Sequence, residues 1–123
     1  MSERKKILVV DDDPTICLVC RTVLESGGYQ VFTASSATEG LALAKTEQPD
    51  LVVLDIMMEE VDSGFQAAKL LQESHPGVPI LMLSSIAGAS SQVFDTSALP
   101  VKQLLDKPIQ PAVLLRRVQS LLD

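Results

Sequence analysis

The chain alternates between short apolar runs and longer segments in which apolar residues recur every three or four positions. The clearest run is LVVL at residues 51–54, which is apolar on both alternating faces and leads directly into Asp55. The run ILVV at residues 7–10 repeats the pattern and is followed by three aspartates at 11–13. Such runs are typical of parallel strands covered by helices on both sides. The pattern therefore predicts two buried strands that each end in acidic residues.

Strand and helix patterns alternate along the whole chain, which is the sequence signature of a parallel α/β sheet. Five strands are predicted, at residues 6–10, 29–34, 51–55, 79–83 and 102–105. Five helices are predicted, from Pro14 to the Gly27-Gly28 pair, from Ser36 to about Thr46, over 64–74, within 84–100, and from about Gln110 to the end.

The predicted helix ends have recognisable residues. Pro14 suits a first helical turn, where its missing N–H is not needed. Ser36 and Glu39 have the spacing of a capping box. On the first helix, the positions expected to face the core are Ile16, Cys20, Val23 and Leu24.

The fold class predicted from this alternation is a flavodoxin-like (βα)5 fold. Its doubly wound parallel sheet has five strands in the order 2-1-3-4-5, with helices on both faces. At 123 residues, the whole chain (1–123) is expected to be a single domain. In that strand order the first and third strands are neighbours. We therefore expect Asp11, Asp12 and Asp55 to converge in one crevice at the carboxyl ends of the strands.

Composition excludes several classes of protein. With 46% hydrophobic and 21% charged residues, the chain is expected to be globular rather than disordered. A net charge of −6 argues against a nucleic-acid surface, which needs clustered lysine and arginine. No apolar run is long enough for a membrane span, and the short basic start does not resemble a signal peptide. The default expectation is a cytoplasmic protein.

Cys17 and Cys20 form a C-x-x-C pair, which could indicate a redox dithiol or half of a zinc site. No second cysteine or histidine pair completes a zinc site. The favoured interpretation is two small apolar residues of a helix, with the intervening Leu18 and Val19 as core residues.

The other strand ends add polar groups to the same predicted edge. The fourth strand leads into Ser84, and the fifth is followed by Lys107. Three neighbouring carboxylates repel one another unless a cation joins them, and all-oxygen ligands suit Mg²⁺. A carboxylate can also attack phosphorus to form an acyl phosphate, with a lysine and a hydroxyl stabilising the transferring group. The crevice is therefore a candidate site of phosphoryl transfer.

Four segments carry a resemblance to a known family. They are ILVVDDDP at 7–14, DLVVLDIMM at 50–58, VPILMLS at 78–84 and DKP at 106–108. In this order and spacing they resemble the receiver domain of two-component response regulators, over essentially the whole chain.

The resemblance implies that Asp55 accepts a phosphoryl group from a sensor histidine kinase or a phosphotransfer protein. Asp11 and Asp12 match the acidic pair of the family, and Asp12 with Asp55 would bind Mg²⁺ directly. The backbone carbonyl of Met57 matches the third protein ligand of the ion. The family catalyses only its own phosphotransfer and dephosphorylation, so the resemblance implies a signalling domain rather than an enzyme.

Ser84 matches the switch hydroxyl of the family, and Lys107 matches the lysine that contacts the phosphoryl group.

Two departures from the family pattern stand out. Glu59 and Glu60 follow Met58 where a proline is usual, and this change is expected to slow phosphotransfer or alter the phosphate lifetime. Leu104 occupies the position of the usual switch aromatic.

Two other functions are compatible with parts of the sequence. Asp11-x-Asp13-x-Thr15 fits the first motif of haloacid dehalogenase-like phosphatases, in which Asp11 would be the nucleophile. That class also needs an acidic motif after the lysine, and only Asp123 follows Lys107. The other alternative is a docking receiver that is never phosphorylated, which the complete acidic triad disfavours.

The partners are less well defined than the site. The sequence predicts no contact of this domain with nucleic acid or membrane. It leaves open a homodimer, the cognate kinase and the downstream effector. No output module is recognisable, so the chain is expected to be either a stand-alone receiver or a fragment cut after the last helix.

Overall fold

A computed structural model describes residues 4–55, 63–84, 103–106 and 109–122 of the chain. The described strands are β1 (Lys6–Val10), β2 (Gln30–Ala34), β3 (Leu51–Asp55), β4 (Ile80–Ser84) and β5 (Gln103–Asp106). The described helices are α1 (Pro14–Ser26), α2 (Ala37–Glu47), α3 (Ser63–Ser74) and α4 (Pro111–Leu122). The fourth predicted helix, within 84–100, lies outside the described residues, so the last predicted helix is α4 here.

The five strands form one parallel sheet of order β2-β1-β3-β4-β5. This confirms the predicted α/β fold and its strand order. β1 and β3 are direct neighbours, with Ile7 opposite Leu51 and Val10 opposite Leu54. The predicted boundaries of the later strands are one residue early, since β4 and β5 end at Ser84 and Asp106. One consequence is that the acidic residues after β1 and at the end of β3 share one edge of the sheet.

Two apolar layers cover the sheet, one on each face, because successive strand residues point to opposite sides. Leu8, Val10, Val52 and Leu54 pack on one side, in a cluster that includes buried alanines of α2 and α3. Their neighbours Ile7, Val9, Leu51 and Val53 pack on the other side, in a cluster with residues of α1 and α4. Both faces of β1 and β3 are therefore sealed, which explains why these runs are continuously apolar.

Side-chain caps begin the first two helices. Asp13 is the N-cap of α1, and its Oδ1 accepts a hydrogen bond of 2.9 Å from the Thr15 N–H. Ser36 caps α2 by accepting from the Glu39 N–H at 3.1 Å. The Glu39 carboxylate accepts from the Ser35 N–H at 3.0 Å. In an ideal capping box it would accept from the N–H of the cap residue itself, Ser36. Both helix starts were predicted within one residue.

One prediction about the core is wrong. Leu18 was expected to face the core, but its side chain is 64% exposed. Cys20 and Leu24 are fully buried as predicted. An α-helix turns by about 100° per residue, so Leu18 lies nearly opposite Cys20 on α1. Among the described helices, none is long and apolar enough to cross a membrane.

Gly40 marks a close approach between α2 and β1, and it gives a testable expectation. A Cβ at this position would lie 2.7 Å from Val10 Cγ2. Gly40→Ala should therefore lower the free energy of unfolding by about 1 kcal/mol or more, because the overpacking outweighs the gain in helix propensity. Chemical denaturation measures this change.

Gly77→Ala provides the matched control, since a Cβ at Gly77 meets no atom within 4 Å. That variant should be as stable as the parent or slightly more stable. Equal stability of the two variants would contradict the close packing of α2 on β1.

Candidate functional site

The register of β1 and β3 brings two acidic residues to the same point. Val10 is opposite Leu54, so the residues that follow them, Asp11 and Asp55, both lie at the carboxyl edge of the sheet. Both side chains are buried, with 0% exposure for Asp11 and 2% for Asp55. Asp12, the next residue after Asp11, is exposed. The crevice predicted from the sequence is therefore present.

The carboxylates of Asp11, Asp12 and Asp55 form a compact group. One oxygen from each lies within 4.8 Å of the others. This donor set consists only of carboxylate oxygens, which suits a hard divalent cation such as Mg²⁺. Two buried members and one exposed member leave a side open to solvent. The residues that are present therefore fit a cation that also carries water or a phosphate oxygen.

Hydrogen bonds fix the turn that carries the first two acids. The Asp11 N–H donates to the Ala34 carbonyl at 3.0 Å, which ties the turn to the end of β2. The Asp13 N–H then donates to Asp11 Oδ1 at 2.9 Å. The Asp13 side chain accepts in turn from the Thr15 N–H. This series of contacts was not predicted from the sequence.

Cys17 is a further residue at the site. The sequence predicted only that it would lie on the apolar face of a helix. Its thiol lies 3.3 Å from the Asp11 carbonyl oxygen, to which it donates. Burial and the nearby Asp11 carboxylate raise the pKa of the Cys17 thiol, because both disfavour the thiolate. Cys17 and Cys20 are both free. Cys20 is buried, as its assignment as a small core residue predicted.

A cavity of about 510 Å³ lies beside the acidic group, between α1, the end of β2 and the start of α2. Its α1 wall consists of residues at positions 14, 17, 18 and 21, which share one face of the helix. The exposed Leu18 belongs to this wall, and Asp11 and Asp12 line the end nearest the site. The side chain of Leu18 thus contributes to a surface cavity rather than to the core.

Several predicted site residues lie wholly or partly outside the described residues. Met57 and Lys107 lie outside the described residues, as do Glu59 and Glu60. Ser84 ends β4 opposite Asp106 of β5, but only its backbone position is described. The described part of the site therefore consists of the three aspartates and the turn between β1 and α1. The side chain of Leu104 is likewise outside the described set.

Comparison with known proteins gives a consistent result. The family model described as "Response regulator receiver domain" matches residues 7–119. The alkaline phosphatase synthesis transcriptional regulatory protein PhoP of Bacillus subtilis is 40% identical over 121 residues, covering 96% of this chain and 48% of PhoP. The chain thus spans about half the length of the curated relatives that it matches first.

Solved structures agree with the sequence match. A CheY-like receiver domain protein from Methanospirillum hungatei has a TM-score of 0.86 and 31% identity, covering 98% of this chain and 95% of that one. The chemotaxis response regulator CheY4 of Vibrio cholerae has a TM-score of 0.84 and 30% identity, covering 97% and 99%. These matches do not favour a haloacid dehalogenase-like phosphatase. The chain belongs to the family of response regulator receiver domains of two-component signalling systems.

Proposed function

We propose that Asp55 is the phosphoacceptor of this receiver domain. The observation that carries the proposal is the meeting of three carboxylates within 4.8 Å at the ends of two adjacent strands. Asp55 ends β3, a strand in which every residue is buried. A carboxylate held in this way can attack phosphorus without first being positioned by a partner.

The ion in this proposal is Mg²⁺, held by Asp11, Asp12, Asp55 and the backbone carbonyl of Met57. When bound, Mg²⁺ offsets the negative charge that would otherwise repel an incoming phosphoryl group. Asp12 is the exposed member of the set and faces the smallest loss of hydration when it meets an ion. Asp11 and Asp55 contribute charge at the buried side.

The phosphodonor in this proposal is a phosphohistidine of a sensor kinase or phosphotransfer protein. An Asp55 carboxylate oxygen forms a bond to phosphorus while the bond from phosphorus to the imidazole nitrogen breaks. The electron pair of that bond returns to the imidazole, and Asp55 becomes an acyl phosphate. Lys107 neutralises phosphoryl oxygens and Ser84 donates a hydrogen bond to them. Attack of water on the acyl phosphate regenerates Asp55 and releases phosphate.

The signal in this proposal passes from the phosphorylated edge to a downstream effector. PhoP is named as a transcriptional regulatory protein, and this chain covers 48% of its length. We infer that this chain acts as a single receiver unit, 1–123, which controls an effector in the same or another polypeptide in the cytoplasm. Its net charge of −6 is consistent with leaving nucleic-acid contacts to that effector.

The test is intact-mass and peptide mass spectrometry after treatment with acetyl phosphate, with and without Mg²⁺. One phosphoryl group is expected, on the peptide that contains Asp55, and only when Mg²⁺ is present. Modification at Asp11 would favour the phosphatase-like alternative. No modification in Mg²⁺ would favour a docking receiver that is never phosphorylated.

A further inference from the structure

We propose that Asp13 is a positioning residue for the metal site, through its role as the N-cap of α1. This inference rests on the proposed function, since it concerns the Mg²⁺ site of Asp11, Asp12 and Asp55. Asp13 is exposed, and the sequence resemblance assigned it no role. Its contribution comes from two contacts that join the first turn of α1 to the Asp11 carboxylate.

The two contacts follow one another along the backbone. Asp11 Oδ1 accepts from the Asp13 N–H at 2.9 Å, and Asp13 Oδ1 accepts from the Thr15 N–H at 2.9 Å. Each side chain therefore holds an N–H two residues ahead. Asp12 lies between the first pair, so its backbone is fixed on both sides. The Asp13 carbonyl also accepts from the Cys17 N–H at 3.1 Å, which joins the same residue to the body of α1.

Loss of the cap should act on the turn rather than on the whole fold. Without the Asp13 carboxylate, the first turn of α1 frays, and the Asp13 N–H no longer has a fixed direction. The turn must then be ordered each time an ion binds. The apparent Mg²⁺ affinity therefore equals the affinity of the ordered site multiplied by the fraction of molecules in which the turn is already ordered. The usual strength of an N-cap sets the loss in Mg²⁺ affinity at no more than about fivefold.

Asparagine and serine separate this role from a simple effect of charge. Both side chains cap helices about as well as aspartate, but neither carries a negative charge. If the cap positions the site, Asp13→Asn and Asp13→Ser should retain clearly more Mg²⁺ affinity than Asp13→Ala, measured at an ionic strength high enough to weaken the contribution of the charge. Only Asp13→Ala should show the full loss.

Ser36→Ala is the matched control for stability. Ser36 caps α2 through the Glu39 N–H at 3.1 Å and is not one of the acidic residues of the site. Its replacement removes a cap of the same kind from a neighbouring helix. Thermal unfolding should therefore show comparable losses for Ser36→Ala and Asp13→Ala, whereas Mg²⁺ affinity should fall only in the second.

The experiment is a titration of ¹⁵N-labelled parent and variants with MgCl₂ at constant ionic strength, followed by amide NMR. Hydrogen exchange at the Thr15 amide is a second readout; it should accelerate in Asp13→Ala and return towards the parent rate in Asp13→Ser. Equal Mg²⁺ affinity of parent and Asp13→Ala would overturn the inference. An equal loss in Asp13→Asn and Asp13→Ala would also overturn it, because charge would then be responsible. A parent that binds no Mg²⁺ would instead refute the proposed function.

Discussion

The Asp55→Asn variant is expected to accept no phosphoryl group and, in the absence of divalent cations, to unfold at a higher temperature than the parent. The amide of asparagine is not a nucleophile, so the proposed acceptor is lost completely. The change also removes one of three carboxylates whose oxygens lie within 4.8 Å of one another. At that distance two unit charges repel by about 3 kcal/mol when the effective dielectric constant is roughly 20.

The net gain in stability should be smaller than this repulsion, because nearby groups and solvent already offset part of it. A gain of about 1 kcal/mol corresponds to roughly 4 °C in a domain of this size. Thermal unfolding in a chelator measures it. Mg²⁺ should then raise the unfolding temperature of the parent more than that of the variant, since the complete site is expected to bind it more tightly.

Asp50→Asn is the matched control, because Asp50 immediately precedes the opposite end of β3. Asp50 Oδ2 accepts a hydrogen bond of 2.8 Å from the Lys6 N–H, well away from the acidic group. This variant should be phosphorylated like the parent and should gain no stability. Destabilisation of metal-free Asp55→Asn would mean that repulsion among the acids does not limit the stability of the fold.

Leu54→Ala should cause the largest loss of stability among simple truncations near the site. Leu54 directly precedes Asp55, is 0% exposed and packs in the cluster that joins the sheet to α2 and α3. Truncation of such a residue removes apolar burial and leaves a cavity, and it typically costs about 2–5 kcal/mol. Urea unfolding measures the change.

Leu18→Ala is the matched control, since the same atoms are removed from a side chain that is 64% exposed. It should change the free energy of unfolding by less than about 0.5 kcal/mol. Similar losses in the two variants would mean that Leu18 is a core residue after all, as its place in the sequence first indicated.

The sheet could be predicted because its signal is local. β1, β3 and β4 are nearly continuous apolar runs, and a strand buried on both faces needs such a run. The strand order followed from general rules for crossovers rather than from any particular residue. Boundaries were less certain, because Ser84 and Asp106 belong to strands although they are polar.

The acidic site could be predicted because parallel strands deliver their last residues to one edge of the sheet. The contacts next to the acidic site could not be predicted from the sequence. The hydrogen bonds of Asp13 and Cys17 depend on backbone directions in the first turn of α1. The exposure of Leu18 could have been found, however, since the buried positions of α1 define a face that excludes it.

If Asp55 is the phosphoacceptor, as proposed, its burial determines how a phosphodonor must reach it. β3 lies between β1 and β4 and is covered on both faces, so Asp55 cannot move out of the sheet to meet a donor. Only 2% of its surface is accessible, so almost none of the side chain projects into solvent. On the proposed function, a donor protein would therefore have to dock on the surface around the carboxylate before its imidazole could reach Asp55. Discrimination between correct and incorrect donors would accordingly fall to residues of that surface, which can change in evolution without altering the chemistry beneath them.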